Sequence, residues 1–305
     1  MNRARAPARP FVTAAQLTDV EPVAEGLEFH VYKAQSPHYG PVALRIPQHK
    51  VFQNINDPSN DAGELLAQEL DIYRLLHGGP VPVPRAFELL EINGFPAMLS
   101  EFIEDDGTQA SPAEMGRVAA LIHTSHVPED WDTRLVAMED GDVFTTLVNR
   151  MVRRFQQFLK HEPASKSWIP ERHVLQGIAE KLRRFPPRLL HMDLRDVNLR
   201  VRHGRVVAVL DWTNCLVGPT AVDLYRIMEL EKLGSEFLEA YSDVVPMPRV
   251  TAEEETLLRL DAALMIALVF ISEAPDEVLR GPAVKRVQEL AAMLQTPRGP
   301  DADPP

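Results

Sequence analysis

Residues 191–201 read HMDLRDVNLRV. Eight positions, His191 to Asn198, hold two carboxylates, an arginine and an asparagine, and then the chain turns to apolar alternation. A polar turn between two strands and a reactive loop can share this composition, so its surroundings must decide. Downstream, Leu199 to Arg202 and Val206 to Leu210 predict a hairpin around His203 and Gly204. Asp211 ends the apolar strand VVAVL, where a buried strand delivers its next side chain to the mouth of a cleft. Hairpin pairing then brings Asn198 and Asp211 together. Both offer hard oxygen ligands of the kind Mg²⁺ takes while keeping waters and phosphates in its other positions. Asp193, five residues before Asn198, is spaced to hold a hydroxyl in line with a phosphoryl group.

Upstream, the first hundred residues read as strand with one helix. In EFHVYKA, Phe29 and Val31 alternate with polar neighbours; in PVALRIP, Val42, Leu44 and Ile46 share one face, with Arg45 pointing away from the core side. A helix is expected from Asp61 to His77, stopped by Gly78 and Gly79. Glu69 falls inside its apolar stripe of Leu65, Leu66, Ile72, Tyr73 and Leu76, so it needs a cationic partner. Strands are expected near Arg85 to Leu90 and Ala97 to Ile103. After Ile103 the pattern turns helical, with capping boxes at Ser111 to Glu114 and from Thr251. The expected organisation is an arm over 1–18, a nucleotide-binding lobe over 19–103, a helical lobe over 104–295 and a disordered tail over 296–305. The fold class is α+β and bilobal: an antiparallel-sheet lobe with one helix, then a mainly helical lobe.

Composition removes several alternatives. The 305 residues are 45% apolar, enough for a sizeable core, and carry a net charge of −12. That charge argues against nucleic acid as a partner, because phosphate-backbone affinity needs clustered lysine and arginine. Cys215 is the single cysteine, so no intrachain disulfide is available and the cytoplasm is the expected compartment. The first eleven residues, MNRARAPARPF, have no apolar segment of signal-peptide type. The longest apolar run, Ala262 to Ile271, is shorter than the ~18–20 residues that span a bilayer and reads as a buried helix. No membrane partner is expected.

The order HxDLxxxN, hairpin, Asp, preceded by Arg45 on a strand and Glu69 on the next helix, is the grammar of kinase catalytic loops. Over roughly Val20 to Ile271 the chain resembles the aminoglycoside phosphotransferase family, small-molecule kinases with a protein-kinase-like fold. The segment LDWTNCLVGPTAVDLYRI carries Gly218, Pro219 and Asp223 in the later slots of that family's pattern. DW in place of DFG, the absence of APE, and a gap of about ninety residues between Glu101 and His191 count against a protein kinase. The resemblance implies that Asp193 is the catalytic base or hydroxyl-orienting group and that Asn198 and Asp211 bind Mg²⁺. It sets Arg45 at the nucleotide-contacting lysine and Glu69 at its ion-pair partner. Glu101, Phe102 and Ile103 become the hinge that reads the base, and Gly26 becomes the one glycine of the phosphate loop. Arg195 is a candidate γ-phosphate ligand, set against a solvated arginine or a local pair with Asp196. Arg45 in place of lysine, Met192 in place of glycine and the presence of Arg195 are the departures.

The resemblance further implies ATP or GTP as donor and a small hydroxylated acceptor. An antibiotic is the leading acceptor, with sugar, choline or homoserine kinases and a non-catalytic pseudokinase as alternatives; the assembly is expected to be a monomer or homodimer. Several residues have plainer readings. His191 shapes the loop by hydrogen bonding, and Asp223 anchors it through backbone N–H groups or His191. His123 and His126 are surface or satisfied core residues, Trp212 is packing, and Cys215 is inert. The acidic stretch from Glu101 to Asp142 is a solvated face or an attractor of cationic substrate, while Arg150 to Arg188 reverses the balance.

Overall fold

The computed structural model describes residues 8–53, 55–57, 60–128, 135–138 and 141–295. The expected tail over 296–305, the first seven residues of the arm, and Glu129, Asp130, Asp132, Arg134, Glu139 and Asp140 of the acidic stretch lie outside them.

The first lobe is an antiparallel sheet of five strands: β1 (Thr18–Glu25), β2 (Phe29–Ser36), β3 (Gly40–Pro47), β6 (Ala86–Ile92) and β7 (Phe95–Glu101), in the order β1-β2-β3-β7-β6. Short β4 (Val51–Phe52) and β5 (Asn60–Asp61) pair before α2 (Ala62–Leu76). Alternation on β3 sends Val42, Leu44 and Ile46 into an outer apolar layer with Tyr32, Ala34, Ala97 and Leu99. The opposite face carries Arg45 and meets α2. Arg45 therefore lies away from the outer layer, as its alternation implies, yet it is buried, because a helix covers that face too. The α2 helix starts where the Asp61 side chain accepts the N–H groups of Gly63 and Glu64, at 2.8 and 3.3 Å. It stops before Gly78, whose φ of +78° is the left-handed conformation that suits glycine.

The frayed arm expected over 1–18 is corrected in its second half. Helix α1 (Arg9–Ala14) docks Phe11 into the outer layer with Ala8 and Leu17, all buried. Without it the outer face of β2 and β3 would expose Tyr32, Leu44 and Ile46, which makes burial of Phe11 favourable by ~2 kcal/mol.

The second lobe comprises α3 (Pro112–Thr124), α4 (Val143–His161), α5 (Arg172–Lys181), α6 (Thr220–Glu231), α7 (Ser235–Ser242), α8 (Ala252–Leu268) and α9 (Glu277–Gln295). Two small pairs, β9 (Leu199–Arg202) with β10 (Arg205–Val209) and β8 (Arg188–Leu190) with β11 (Leu216–Gly218), frame the cleft. Helix α3 packs so closely on α7 that a Cβ at Gly116 would stand 2.2 Å from the Phe237 carbonyl oxygen. The Thr251 capping box forms as expected. The one at Ser111 forms only halfway: Ser111 caps the Glu114 N–H at 3.1 Å. The Glu114 side chain instead takes Arg117, Arg205 and the Val206 N–H, tying α3 to the β9–β10 pair. The helix expected to continue to Ile271 widens into a π turn at Val269–Glu273. Among the described residues no helix is long and apolar enough to cross a membrane.

Candidate active site

The loop that follows β8 is built from buried supports upward. Asp223, one turn into α6, accepts the backbone N–H of His191 at 2.8 Å and of Met192 at 2.9 Å. Its Oδ2 also meets Nε2 of His123 at 3.1 Å, while Nδ1 of His123 meets the Tyr241 hydroxyl at 3.0 Å. Burial works against the Asp223 carboxylate, and the His123 and backbone hydrogen bonds outweigh it, so its pKa lies below the ordinary range. His191 accepts the Asp193 N–H on Nδ1 at 3.2 Å, which leaves Nε2 to donate to the Leu210 carbonyl at 3.0 Å. These partners assign the neutral Nε2–H tautomer, and burial lowers the imidazole pKa in agreement. His191 is a loop-shaping group here.

Met192 takes φ +65° although it is neither glycine nor asparagine. A left-handed conformation costs a side-chain-bearing residue about 1–2 kcal/mol. The fixed N–H on Asp223 and the Met192 carbonyl, held by Arg226 Nε at 2.5 Å, keep it there. The glycine missing from the loop thus leaves the turn intact at the expense of local strain.

Asp193 is nearly buried and has both oxygens engaged. Arg195 closes on it as a fork, Nε to Oδ1 at 2.7 Å and Nη2 to Oδ2 at 2.9 Å. Asn198 Nδ2 donates to the Asp193 carbonyl at 2.8 Å and to Oδ2 at 2.9 Å. Because the amide nitrogen is committed to Asp193, Asn198 Oδ1 is turned the other way. The strand pairing of β9 and β10 continues as Leu210 N–H to Asn198 carbonyl, 2.8 Å, which sets Asp211 next to Asn198.

Asp211 also carries a positive φ, +62°, a conformation that aspartate tolerates better than most residues. Its N–H donates to Glu69 Oε1 at 3.1 Å, and its Oδ1 takes the Thr213 hydroxyl at 2.7 Å and Arg45 Nη2 at 3.0 Å. Arg45 Nη1 pairs with Glu69 Oε2, whose other oxygen accepts from the Tyr73 hydroxyl at 2.6 Å. Arg45 further stacks 4.0 Å over the Phe29 ring. Burial raises the Glu69 pKa, opposed by Arg45. On Asp211 burial is outweighed by Arg45 and Thr213, so that carboxyl is held low. One guanidinium therefore bridges two carboxylates from different lobes, which a lysine ammonium could not do in two planar contacts.

The remaining expected residues belong to the first lobe and its end. Gly26 lies in the β1–β2 turn, its N–H bonded to the Phe29 carbonyl at 2.9 Å and its own carbonyl to the Gln48 side chain at 2.8 Å. Its φ is not positive, and an added Cβ would meet only that carbonyl oxygen, at 3.8 Å. Glu28 hangs from the same turn. Burial and the nearby Asp211 push its pKa up to about 7. At the end of β7, the Glu101 N–H goes to the Arg85 carbonyl at 2.9 Å and the Phe102 N–H to the Pro41 carbonyl at 3.3 Å. Among the described residues, the Ile103 N–H makes no backbone hydrogen bond. The acidic run beyond it is paired rather than bare: Glu104 with Lys33, Asp105 with Arg200 at 3.5 Å, and Asp106 with the His203 N–H at 2.8 Å, while Arg202 Nε donates to the Glu104 backbone carbonyl at 2.7 Å.

As a magnesium site, Asn198 and Asp211 form a set of hard oxygens. No cluster of three His, Cys, Asp or Glu occurs among the described residues. A two-ligand set suits Mg²⁺, which binds through one or two protein groups with waters and phosphates completing the octahedron. The residues fit the ion by donor type and by the outward turn of Asn198 Oδ1.

Sequence reasoning overlooked Arg226, Gln68 and Glu28. Arg226 lies three residues after Asp223 on the same helix face, a signal present in VDLYRI. Gln68 donates to the Trp212 and Thr213 carbonyls at 2.8 and 3.1 Å and accepts from Val136 N–H at 2.8 Å. Nothing in the spacing announced that role.

By sequence, residues 19–269 match the model of the phosphotransferase enzyme family. No curated protein matches the chain. Among solved structures, the gentamicin complex of APH(2'')-IIa superposes with a TM-score of 0.63 at 13% identity, covering 96% of this chain and 99% of that one. A thermostable mutant of aminoglycoside phosphotransferase APH(4)-Ia, in a ternary complex with ADP and hygromycin B, gives 0.61 at 13% identity, with 95% and 99% covered. The GDP and kanamycin complex of APH(2'')-IIIa gives 0.61 at 13%, with 94% and 99% covered. At such identities the likeness establishes the fold, bilobal and kinase-like. The family match spans both lobes and the loop between β8 and β9, so the chain belongs to the phosphotransferase enzyme family and is a small-molecule kinase.

Proposed function

We propose that the protein transfers the γ-phosphoryl group of ATP or GTP to a hydroxyl of a small molecule, with antibiotic inactivation as its leading role. The gathering of Asp193, Asn198 and Asp211 around one loop and one hairpin carries this reading. In the step, the acceptor oxygen forms a bond to phosphorus, the bond from phosphorus to the β–γ bridging oxygen breaks, and the acceptor proton passes to Asp193. Asn198 and Asp211 would hold Mg²⁺, which when bound would neutralise phosphate charge. Arg45 presents its guanidinium beside Asp211, at the phosphate end of the nucleotide. The Ile103 N–H is the hinge donor left to read the base. Arg195 orients the Asp193 carboxylate through its fork; for it to contact the γ-phosphate instead, it must leave that pair. Similar structures hold aminoglycosides in complex, which supports a polyhydroxylated acceptor. The lone buried cysteine fits a cytoplasmic setting.

The test is turnover of Mg·ATP and Mg·GTP against a panel of antibiotics and hydroxylated metabolites, with Asp193→Asn as control. At least one acceptor should gain a phosphate, and Asp193→Asn should lose on the order of 10³-fold in kcat while still binding nucleotide. Nucleotide binding with no product from any acceptor would leave a non-catalytic nucleotide-binding protein. Undiminished turnover in Asp193→Asn would remove Asp193 as the base.

A further inference from the structure

Residues 55–57 belong to the first lobe by connectivity, since they lie between β4 and β5, just before the helix that carries Glu69. Their polar groups are held by the second lobe. Arg154 of α4 is 1% exposed; it donates through Nε to the Asn56 carbonyl and through Nη2 to Asp57 Oδ1, both at 3.2 Å. Asn56 is 2% exposed. Its Nδ2 donates to the Met265 carbonyl at 3.3 Å and to Glu273 Oε1 at 3.0 Å, and its backbone N–H reaches the same Glu273 oxygen at 3.2 Å.

Arg154 also continues inward. Its Nη1 meets Asp261 Oδ1 at 2.9 Å, and Asp261 Oδ2 faces Arg226 Nη1 at 3.5 Å. Arg226 Nε then holds the Met192 carbonyl, one residue before Asp193. Charges alternate along this buried chain, and withdrawing one member leaves its neighbour unpaired in a dry interior, which is strongly unfavourable. Burial works against the Asp57 carboxylate, and Arg154, with Arg150, Arg226 and Arg153 behind it, keeps its pKa low, so the link is a charged one. Asn56 Oδ1 is buried with no hydrogen-bond partner among the described residues. The closed contact is therefore less stable than a fully satisfied one.

We propose that residues 55–57 are an interlobe latch, and that Arg154, Asp261 and Arg226 act as positioning residues that transmit its engagement to the loop carrying Asp193. The catalytic half of this inference rests on the phosphoryl-transfer reading above; the latch itself does not. One support of the loop that carries the base, Arg226, is then fully engaged only while the lobes are closed, so substrate entry and base positioning share one equilibrium.

Two measurements test it. Spin labels on His38→Cys and Lys285→Cys, at exposed positions in the two lobes, report the interlobe distance while Cys215 stays buried. The parent protein should give one narrow distribution, and Asp57→Asn, which keeps shape and removes charge, should broaden it toward longer distances. An unchanged distribution in Asp57→Asn overturns the latch. In turnover, Asp57→Asn and Arg226→Ala should each lower kcat about tenfold with nucleotide KM within about twofold, and Arg226→Lys should recover part of the loss. The double variant should lose no more than the worse single one, because both break one chain. Additive losses, or a fall in thermal stability with kcat intact, overturn the transmission. Should Arg226→Ala fail to fold, Arg226→Lys takes its place in the cycle. If no acceptor is ever phosphorylated, the distance measurement still decides the latch, and only the phosphoryl-transfer reading fails.

Discussion

Two loops face each other across the cleft and are held in opposite ways. The loop from His191 to Asn198 has its backbone fixed from below by Asp223 and Arg226 and its side chains by one another. The β1–β2 turn at 26–28 has three bonds to the rest of the protein or to itself: Gly26 N–H to Phe29, Gln48 to the Gly26 carbonyl, and Gln48 N–H to the Glu28 carbonyl at 2.7 Å. Its tip, Leu27, is 61% exposed. Polar groups removed from water must find partners, so the buried loop is over-determined; a turn in water has no such requirement and can adjust to a ligand. On the proposed function, acceptor chemistry falls to the rigid side and phosphate capture to the adaptable one.

The largest expected effect breaks the rigid side. Asp223→Ala strands two buried N–H groups and His123, and should cost about 3–5 kcal/mol in urea unfolding. A loss below about 1 kcal/mol would mean that the loop holds itself and the contrast is false.

Next comes the acid on the adaptable side. Glu28 has a folded pKa of about 7 against an ordinary 4.5. A raised carboxyl contributes its full stability below about 4.5 and loses it as the pH rises through 7. Glu28→Gln should therefore match the parent at pH 4 and exceed it at pH 8 by on the order of 1 kcal/mol, a figure already discounted for the side chain's partial exposure. Equal gains at both pH values would show that burial and Asp211 do not raise its carboxyl in the folded protein.

A further effect is confined in pH. His191 has a lowered folded pKa, so the unfolded chain takes up a proton near 6.5 that the folded one refuses. Stability should fall as the pH drops below about 6.5, and His191→Gln should flatten that part of the Tm profile. A profile with the same slope in the variant would place the titration elsewhere.

The smallest effect is expected at Gly26→Ala, within about 0.5 kcal/mol of the parent, because its φ is not positive and a Cβ has room. If stability holds and nucleotide affinity falls, the phosphate comes closer to this backbone than the turn itself requires. That would sharpen the comparison by giving the adaptable loop one fixed point.

Much of this is legible in the sequence. The β3 alternation, the stripe of α2 with its stray Glu69, and the hairpin between Asn198 and Asp211 are local periodicities, and local periodicity survives in sequence. That Glu69 needs a cation follows from its place in an apolar stripe, while its match to Arg45 comes from the family resemblance. What was missed lies where a side chain crosses between elements. His123 reads from the sequence as a surface or satisfied core histidine and is a support of the loop through Asp223. Glu114 fitted a capping box and went to Arg205 and Val206 instead. Phe11 looked frayed because nothing nearby in the chain needed it, and the sheet's outer face, formed by residues 20 to 90 positions away, did.

The sequence by itself determined which residue types gather at the candidate site and in what order the elements come, because both depend on residue type and spacing of a few positions. Only the tertiary structure decided how those residues are held: Arg195 closed on Asp193, Arg45 shared between Glu69 and Asp211, Met192 kept in a left-handed turn, and residues 55–57 bonded into the other lobe. Each of these depends on which polar groups are buried together, and burial is a property of the packed whole that no local stretch encodes.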